Sequence, residues 1–360
     1  MALKRWGGWR VDECISMEKK IITSCFEQII SMENLLAAWW EFYRDKRNKL
    51  DAQMFGRHLI DHVTALQQSL QTKQYQHSGY YSFFIADPKP RHIHKASVRD
   101  RLVHHAIYRV LYPFFDRMFI ADSFSCRNEK GTHRALNRFR AFAYTVSRNH
   151  TRTCWVLKLD IQKFFASIDH GILLVLLDCS ITDNDIRWLL REVIGSFTSP
   201  LAPILSREGR GGRRGLPLGN LTSQLFANIY LNELDQFVKH RLKAKHYIRY
   251  ADDFVFLSHD RALLESLIPI IRDFLQQQLR LTLHPKKIFL KTLSSGVDFL
   301  GWAHFPDHRV LRTSTKHRML RRVTEHPSDE TIASYLGLLH HGNANHLQNE
   351  VLVRQWLMAE

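Results

Sequence analysis

The residues with the most chemistry in them are acids. Asp252 and Asp253 stand side by side in the run Tyr250-Ala251-Asp252-Asp253, between the short β-prone segments YIRY and FVFL. That pattern predicts a hairpin with acids at its tip. A third acid, Asp160, lies near the end of the clearest strand pattern in the chain. Over Cys154 to Ile161, Trp155, Leu157, Leu159 and Ile161 share one face, and Val156, Lys158 and Asp160 share the other. Asp160 is therefore expected to point away from the apolar layer. One Asp on a strand and two on an adjacent tight turn form an economical set of hard oxygen ligands for magnesium. Two such ions about 3.5–4 Å apart can activate an attacking hydroxyl and hold a phosphate leaving group. A lone Asp-Asp pair is more often a solvated turn, whereas an acid on a buried strand is the rarer choice. The two signals together carry the reading.

Several elements must position these acids. From Ile21 to about Leu70 apolar residues recur at helical spacing, as in Phe26, Ile29, Ile30, Phe55, Leu59 and Val63. Tyr80 to Lys95 reads as a short strand pair, interrupted at Asp87-Pro88-Lys89-Pro90-Arg91. Val98 to Met118 returns to a helical pattern. Between Ser206 and Gly215 the run SREGRGGRRG cannot pack a core and reads as a mobile cationic loop. After Leu216-Pro217-Leu218-Gly219, the spacing of Leu221, Leu225, Ile229, Leu234 and Val238 predicts a long amphipathic helix to about Arg241. Further on, a helix is expected over Ala262 to Leu279, a strand near Val297 to Trp302, and a basic helical tail from about Thr313.

With 360 residues, 45% hydrophobic and 11% aromatic, the chain can bury a sizeable core of two or three subdomains. Lys and Arg total 51 against 35 acids, a formal charge of +16 that suits a partner carrying many phosphates. Five scattered cysteines without a CxxC pair read as reduced thiols of a cytosolic protein. Apolar runs such as Ile172 to Leu177 are far too short to span a bilayer, and no apolar core follows the basic start MALKRWGGWR, so no secretory signal is expected. The His104-His105 and His340-His341 pairs lack metal-ligand spacing and read as ordinary helix positions.

Taken in order from about Asn34 to Leu347, these motifs resemble those of reverse transcriptases. LDIQKFFASIDH resembles the first palm motif and RYADDFVFL the second. The resemblance implies an α+β, right-hand polymerase fold with fingers, a palm built on an antiparallel sheet, and a small helical thumb. It places a leader at 1–33, fingers at 34–153 with part of 171–215, palm at 154–170 and 216–305, and a basic thumb at 306–360. It implies catalysis by Asp160, Asp252 and Asp253, with Ile161 as a main-chain metal ligand and two Mg2+ ions, Mn2+ being a possible substitute. Phe165 falls where the family's ribose-sensing aromatic sits. PKPRHIHKASVRDRLVHHAI and DSFSCRNEKGTHRAL resemble finger motifs, implying Lys89 and Arg91 as triphosphate contacts and Arg127 as support. LTLHPKKIFL resembles the motif bearing a general-acid lysine, for which Lys287 is the candidate beside Lys286. GVDFLGW resembles the primer-supporting turn.

GLPLGNLTSQLFANIYLNELD resembles the helix that cradles template and incoming base, with Gly219 allowing close backbone approach. Retroviral and group II intron enzymes usually carry Pro-Gln-Gly followed by Ser-Pro. Here Leu218 replaces the Gln and Gln224 the Pro, which resembles the reverse transcriptases of diversity-generating retroelements. That subclass implies cDNA synthesis from a template RNA with errors at template adenines, serving mutagenic retrohoming. It also implies an RNA/cDNA hybrid and dNTPs as ligands, a small basic pentameric accessory protein as partner, and a cytoplasmic place in a prokaryotic cell, the chain being chromosomally or phage-encoded. A retron-type or phage-defence reverse transcriptase stays open as an alternative, as does an inactive RNA-binding relative.

Overall fold

Several helices begin where a side chain takes up a backbone N–H that would otherwise lack a partner. Ser31, Ser97, Asp169, Asp183 and Ser328 each accept such a bond at a helix start. The structure, a computed structural model, describes residues 21–86, 90–199 and 213–359. Lys89, Cys14 and most of the Ser206–Gly215 loop lie outside the described residues.

In chain order the first helices are α1 (Phe26–Ile30), α2 (Met32–Arg44), α3 (Leu50–Arg57) and α4 (Leu59–Gln71). The hairpin β1 (Tyr81–Ile85) and β2 (Arg91–Lys95) precedes α5 (Val98–Asp116) and α6 (Gly131–Val146). Strand β3 (Trp155–Asp160) leads to α7 (Phe164–Ser167), α8 (His170–Asp178), α9 (Asn184–Gly195) and α10 (Leu221–Gln236). Then come β4 (Tyr247–Tyr250), β5 (Asp253–Ser258), α11 (Arg261–Gln278) and β6 (Phe289–Thr292). Strands β7 (Val297–Phe299), β8 (Trp302–His304) and β9 (Arg309–Leu311) precede α12 (Thr313–Glu325), α13 (Asp329–Leu339) and α14 (Asn345–Ala359). The fold is α+β with antiparallel sheets, as expected. Among the described residues no helix is long and apolar enough to cross a membrane.

The chain forms two compact units. The first draws on the chain up to Ile120, on Ile161–Phe237 and on Ile271–Leu283. In it α5 is the centre, with α2 and α10 packed along it, and Leu35, Ala38 and Trp39 of α2 are buried. Asn34 ties α2 to its neighbours, its Nδ2 donating to the carbonyls of Ile29 and Ala106. The expected amphipathic helix after Gly219 is α10, but nearly all of its residues from Thr222 to Asp235 are buried, so it is a core helix rather than a surface one. Its polar members Asn228, Asn232 and Asp235 sit on faces that a two-sided pattern assigns to water.

The second unit comprises Ala121–Asp160, Val238–Ile270 and His284–Glu360. Its main sheet has the order β4-β5-β3-β6, with α6 packed on β4 and β5. The smaller sheet, β7-β8-β9, corrects the single strand expected near Val297 to Trp302. Leu300 and Gly301, at φ 51 and 86, reverse the chain there and make a hairpin. Strands β6 and β9 escaped the sequence reading because both are short and carry charged residues. One core joins Phe139 of α6, Val156 of β3, Val255 and Leu257 of β5, Phe299 and Trp302 of the small sheet, and Met319 of α12.

Strand β3 also departs from expectation on its faces. Leu157 and Leu159 are fully buried, as their alternation requires, yet Val156 on the other face is only 1% exposed. Asp160 therefore lies at the end of a second apolar layer rather than facing away from one.

A buried polar network sets a pH limit on the first unit. Asp100 accepts bonds from Tyr75, Ser97 and the backbone of Ser78, while His77 and His104 meet through their Nε2 atoms at 3.1 Å. Burial, and next the charge of His77, push the pKa of His104 down to about 3. The unfolded chain binds a proton at this residue below about pH 6.5 and the folded chain does not, so its stability is intact above that pH and lost as pH falls towards 3. Urea unfolding followed from pH 7 to pH 5 is expected to lose up to about 1.4 kcal/mol per pH unit through this group below pH 6.5. In His104→Gln, which keeps a hydrogen-bonding partner for His77 but does not titrate, the loss becomes shallower by that amount.

Candidate active site

In the second unit, β3 and β5 pair so that Asp160 stands directly opposite Asp253. Opposite residues share a sheet face, with Cβ atoms about 5 Å apart. The same face carries Lys158 opposite Val255 and Val156 opposite Leu257. One face thus grades from core residues at one end to acids at the other. Asp253 also closes the β4–β5 hairpin opposite Tyr250, leaving Ala251 and Asp252 as the turn. Ala251 has φ 53, a left-handed conformation usually left to glycine in such turns. Its strain is held by its surroundings. Arg249, fully buried, donates from Nη1 to the Ala251 carbonyl at 3.3 Å, and the Tyr250 and Thr132 hydroxyls are 3.0 Å apart.

Two like charges about 5 Å apart repel by on the order of 3 kcal/mol at an effective dielectric constant of 20. A favourable cross-strand pair contributes only about 0.2–1 kcal/mol. Cations are therefore needed, and two are present. Lys287 donates to both oxygens of Asp160, at 2.9 and 2.8 Å. Lys158 Nζ lies 3.7 Å from Asp253 and donates to the Asp298 carbonyl. Even so, the carboxyl of Asp252 is pushed up to about 6, first by burial and then by the charges of Asp160 and Asp253. Asp253 is also raised, chiefly by burial, with Lys158 opposing.

These hard oxygen donors, gathered at one sheet end, suit divalent cations. Among the described residues, no group of three His, Cys, Asp or Glu side chains stands in finished metal-ligand geometry. The acids are brought to one sheet end, where Lys287 engages both oxygens of Asp160 and Lys158 lies near Asp253. An ion there would be held by Asp160, Asp252 and Asp253, and would compete with Lys287 for Asp160. Lys158 was missed as a site residue by the sequence reading, although its two-residue spacing from Asp160 on a strand was the signal. Arg249 carried a weaker one, a guanidinium in the middle of YIRY.

The other expected site residues divide between the units. Arg127, in the second, donates from Nη1 to the Ser123 carbonyl at 3.0 Å. In the first unit, Ile161 is buried and bridged to Leu283. Arg91 begins β2 and is exposed. Phe164 takes the buried position of α7, leaving Phe165 half-buried beside it at a ring separation of 5.3 Å. The Phe165 carbonyl accepts from Leu216 N at 2.8 Å. Two residues on, the Leu218 carbonyl accepts from His94 N at 3.0 Å, and Asn220 Nδ2 donates back to the His94 carbonyl at 2.9 Å. This latch joins β2, Phe165 and the Leu216–Asn220 segment within the first unit. Gly219 has φ 106, and a Cβ there would come within 3.0 Å of Ile93, so only glycine fits. Gln224 is exposed on the first turn of α10.

The sequence profile described as reverse transcriptase (RNA-dependent DNA polymerase) matches residues 86–304, more than half of the chain. Protein YkfC of Escherichia coli is 25% identical over 266 residues, covering 65% of this chain and 66% of that protein. The group II intron-encoded protein LtrA of Lactococcus lactis is 23% identical over 316 residues, covering 70% of this chain and 50% of that protein. The chain thus spans two thirds or less of the length of these curated relatives. Among solved structures, a telomerase from Candida albicans aligns with a TM-score of 0.49 at 10% identity, over 74% of this chain and 51% of that one.

Removing one cation from the acid cluster tests its electrostatics. Lys287→Ala is expected to cost about 1 kcal/mol in urea unfolding, a modest figure because the Lys287 side chain is 41% exposed. Added Mg2+ should raise the melting temperature of the wild type, and that rise should vanish in Asp252→Asn/Asp253→Asn.

Proposed function

Because the chain belongs to the reverse transcriptase (RNA-dependent DNA polymerase) family, we propose that it copies a template RNA into DNA by two-metal nucleotidyl transfer at Asp160, Asp252 and Asp253. The observation that carries this reading is the register that sets Asp160 opposite Asp253, with Asp252 beside it in a turn braced by Arg249. Two Mg2+ ions, for which Mn2+ can substitute, supply activation of the primer hydroxyl and neutralisation of the triphosphate when bound. The chain's own part is to hold the ligand carboxylates on a rigid sheet end and to keep cations beside them. Lys287 is assigned as the acid that protonates the leaving pyrophosphate, a role its half-exposed, flexible side chain can reach from Asp160. In this reading 34–153 with part of 171–215 acts as fingers, 154–170 and 216–305 as palm, and 306–360 as thumb. Arg91 and Lys89 bind the triphosphate, Arg127 supports them, and Phe165 screens the sugar.

Within the family, the reading is that of a diversity-generating retroelement enzyme working with its template RNA and a small basic pentameric accessory protein. Leu218 supports it. Its backbone is fixed on His94, and its side chain is half-buried beside Gly219. A Gln amide at that position could penalise a misaligned base by leaving a hydrogen bond unmade, which a leucine cannot do. Lower fidelity follows, and in the subclass that the chain resembles it falls at template adenine.

Asp252→Asn is expected to abolish Mg2+-dependent cDNA synthesis on an RNA template, and continued synthesis would remove the assigned mechanism. Sequencing the cDNA addresses the subclass. The wild type should misincorporate chiefly opposite adenine, and Leu218→Gln should reduce those errors by about tenfold, the effect of one restored hydrogen bond. Even error rates opposite all four bases in the wild type would overturn the narrower reading.

A further inference from the structure

The two lysines that face the acid cluster are held in different ways. Lys158 lies on strand β3 with a side chain 17% exposed, and its ammonium has an acceptor away from the acids, the Asp298 carbonyl at 3.2 Å. The ammonium of Lys287 rests on the Asp160 carboxylate, at 2.9 and 2.8 Å from its two oxygens, and its side chain is 41% exposed. One cation is built into the sheet, and the other covers one of the three acids.

The backbone that carries Lys287 is fixed where its side chain is not. His284 N–H donates to the main-chain carbonyl of Asp160 at 2.8 Å, Lys287 N–H to the His284 carbonyl at 3.0 Å, and Lys286 N–H to His284 Nδ1 at 3.3 Å. Asp160 thus holds this turn by its main chain and the lysine by its side chain. Breaking the second contact leaves the first, so Lys287 can swing off the carboxylate on its flexible four-carbon stem and stay beside the site. Electrostatics sets when it swings. A divalent ion on either oxygen of Asp160 brings twice the charge that draws the lysine there, at a similar separation, so repulsion exceeds attraction.

We infer that Lys287 is a metal-released lock: it covers Asp160 until a divalent ion takes that carboxylate, and only then is its ammonium free to act on phosphate. The inference rests on the polymerase reading for what the freed ammonium does, and on the ion pair for its release. Because the lysine must be displaced first, the wild type binds the ion less tightly than its acids allow, by the fraction of time that Asp160 is uncovered. The proton donor is in turn withheld until the carboxylates are engaged, which ties delivery of the acid to occupancy of the site.

Acetylation of the full chain by sulfo-N-hydroxysuccinimide acetate, read residue by residue in tandem mass spectrometry, follows the lock without turnover. Without Mg2+, Lys287 should react slowly, because its nitrogen must first leave two oxygens. Saturating Mg2+ should speed it about fivefold, as its free fraction rises from about a sixth towards one. Lys286, exposed on the same turn, should react equally in both conditions. Asp160→Asn should label fast throughout. Asp252→Asn/Asp253→Asn, which keeps the Asp160 partner and loses the ion, should label slowly throughout. Lys287→Met should bind Mn2+, followed by loss of the free-ion electron paramagnetic resonance signal, about fivefold more tightly than the wild type. If Mg2+ raises the melting temperature but leaves Lys287 labelling unchanged, or if Lys287→Met binds Mn2+ no more tightly, the lock is overturned and the polymerase reading stands. Faster labelling with Mg2+ in a wild type that extends no primer supports the lock and counts against the polymerase reading alone.

Discussion

Asp160 and Asp253 are forced into opposition by strand register, and much of the second unit answers that repulsion. A sheet end that gathers acids is stable only if cations and hydrogen-bond donors are built around it. Lys287 across Asp160 and Lys158 near Asp253 supply the charge. Arg249 supplies a donor to the strained turn carbonyl, and its own backbone is pinned, N–H to Asp122 and carbonyl from Phe124 N–H. The core beneath, from Val156 through Val255 to Phe299 and Trp302, gives these polar groups a rigid base. A site held this way keeps its acids close together, at the expense of intrinsic stability.

The first unit shows a different constraint, backbone proximity. His94 exchanges hydrogen bonds with Leu218 and Asn220, so β2 and the segment before α10 are held at main-chain distance. Gly219 cannot carry a Cβ there because of its φ of 106 and the Ile93 side chain beside it.

Local periodicity and turn chemistry made a good part of the structure legible. The hairpin at Tyr247 to Ser258, the strand ending at Asp160, the helix after Gly219 and the β1–β2 pair all follow from alternation, helical spacing and breakers. The nature of the donors, and hence the chemistry open to them, was likewise written in residue type. Tertiary structure alone decided which residues stand opposite one another. Alternation gives a residue its face but not its partner, so the Asp160–Asp253 pairing, the bond from Lys287 to Asp160 and the role of Lys158 depend on register and on loops that return from far along the chain. Burial of most of α10 and the second apolar layer over Val156 arise in the same way, because a helix or sheet face is core or surface only according to what packs on it.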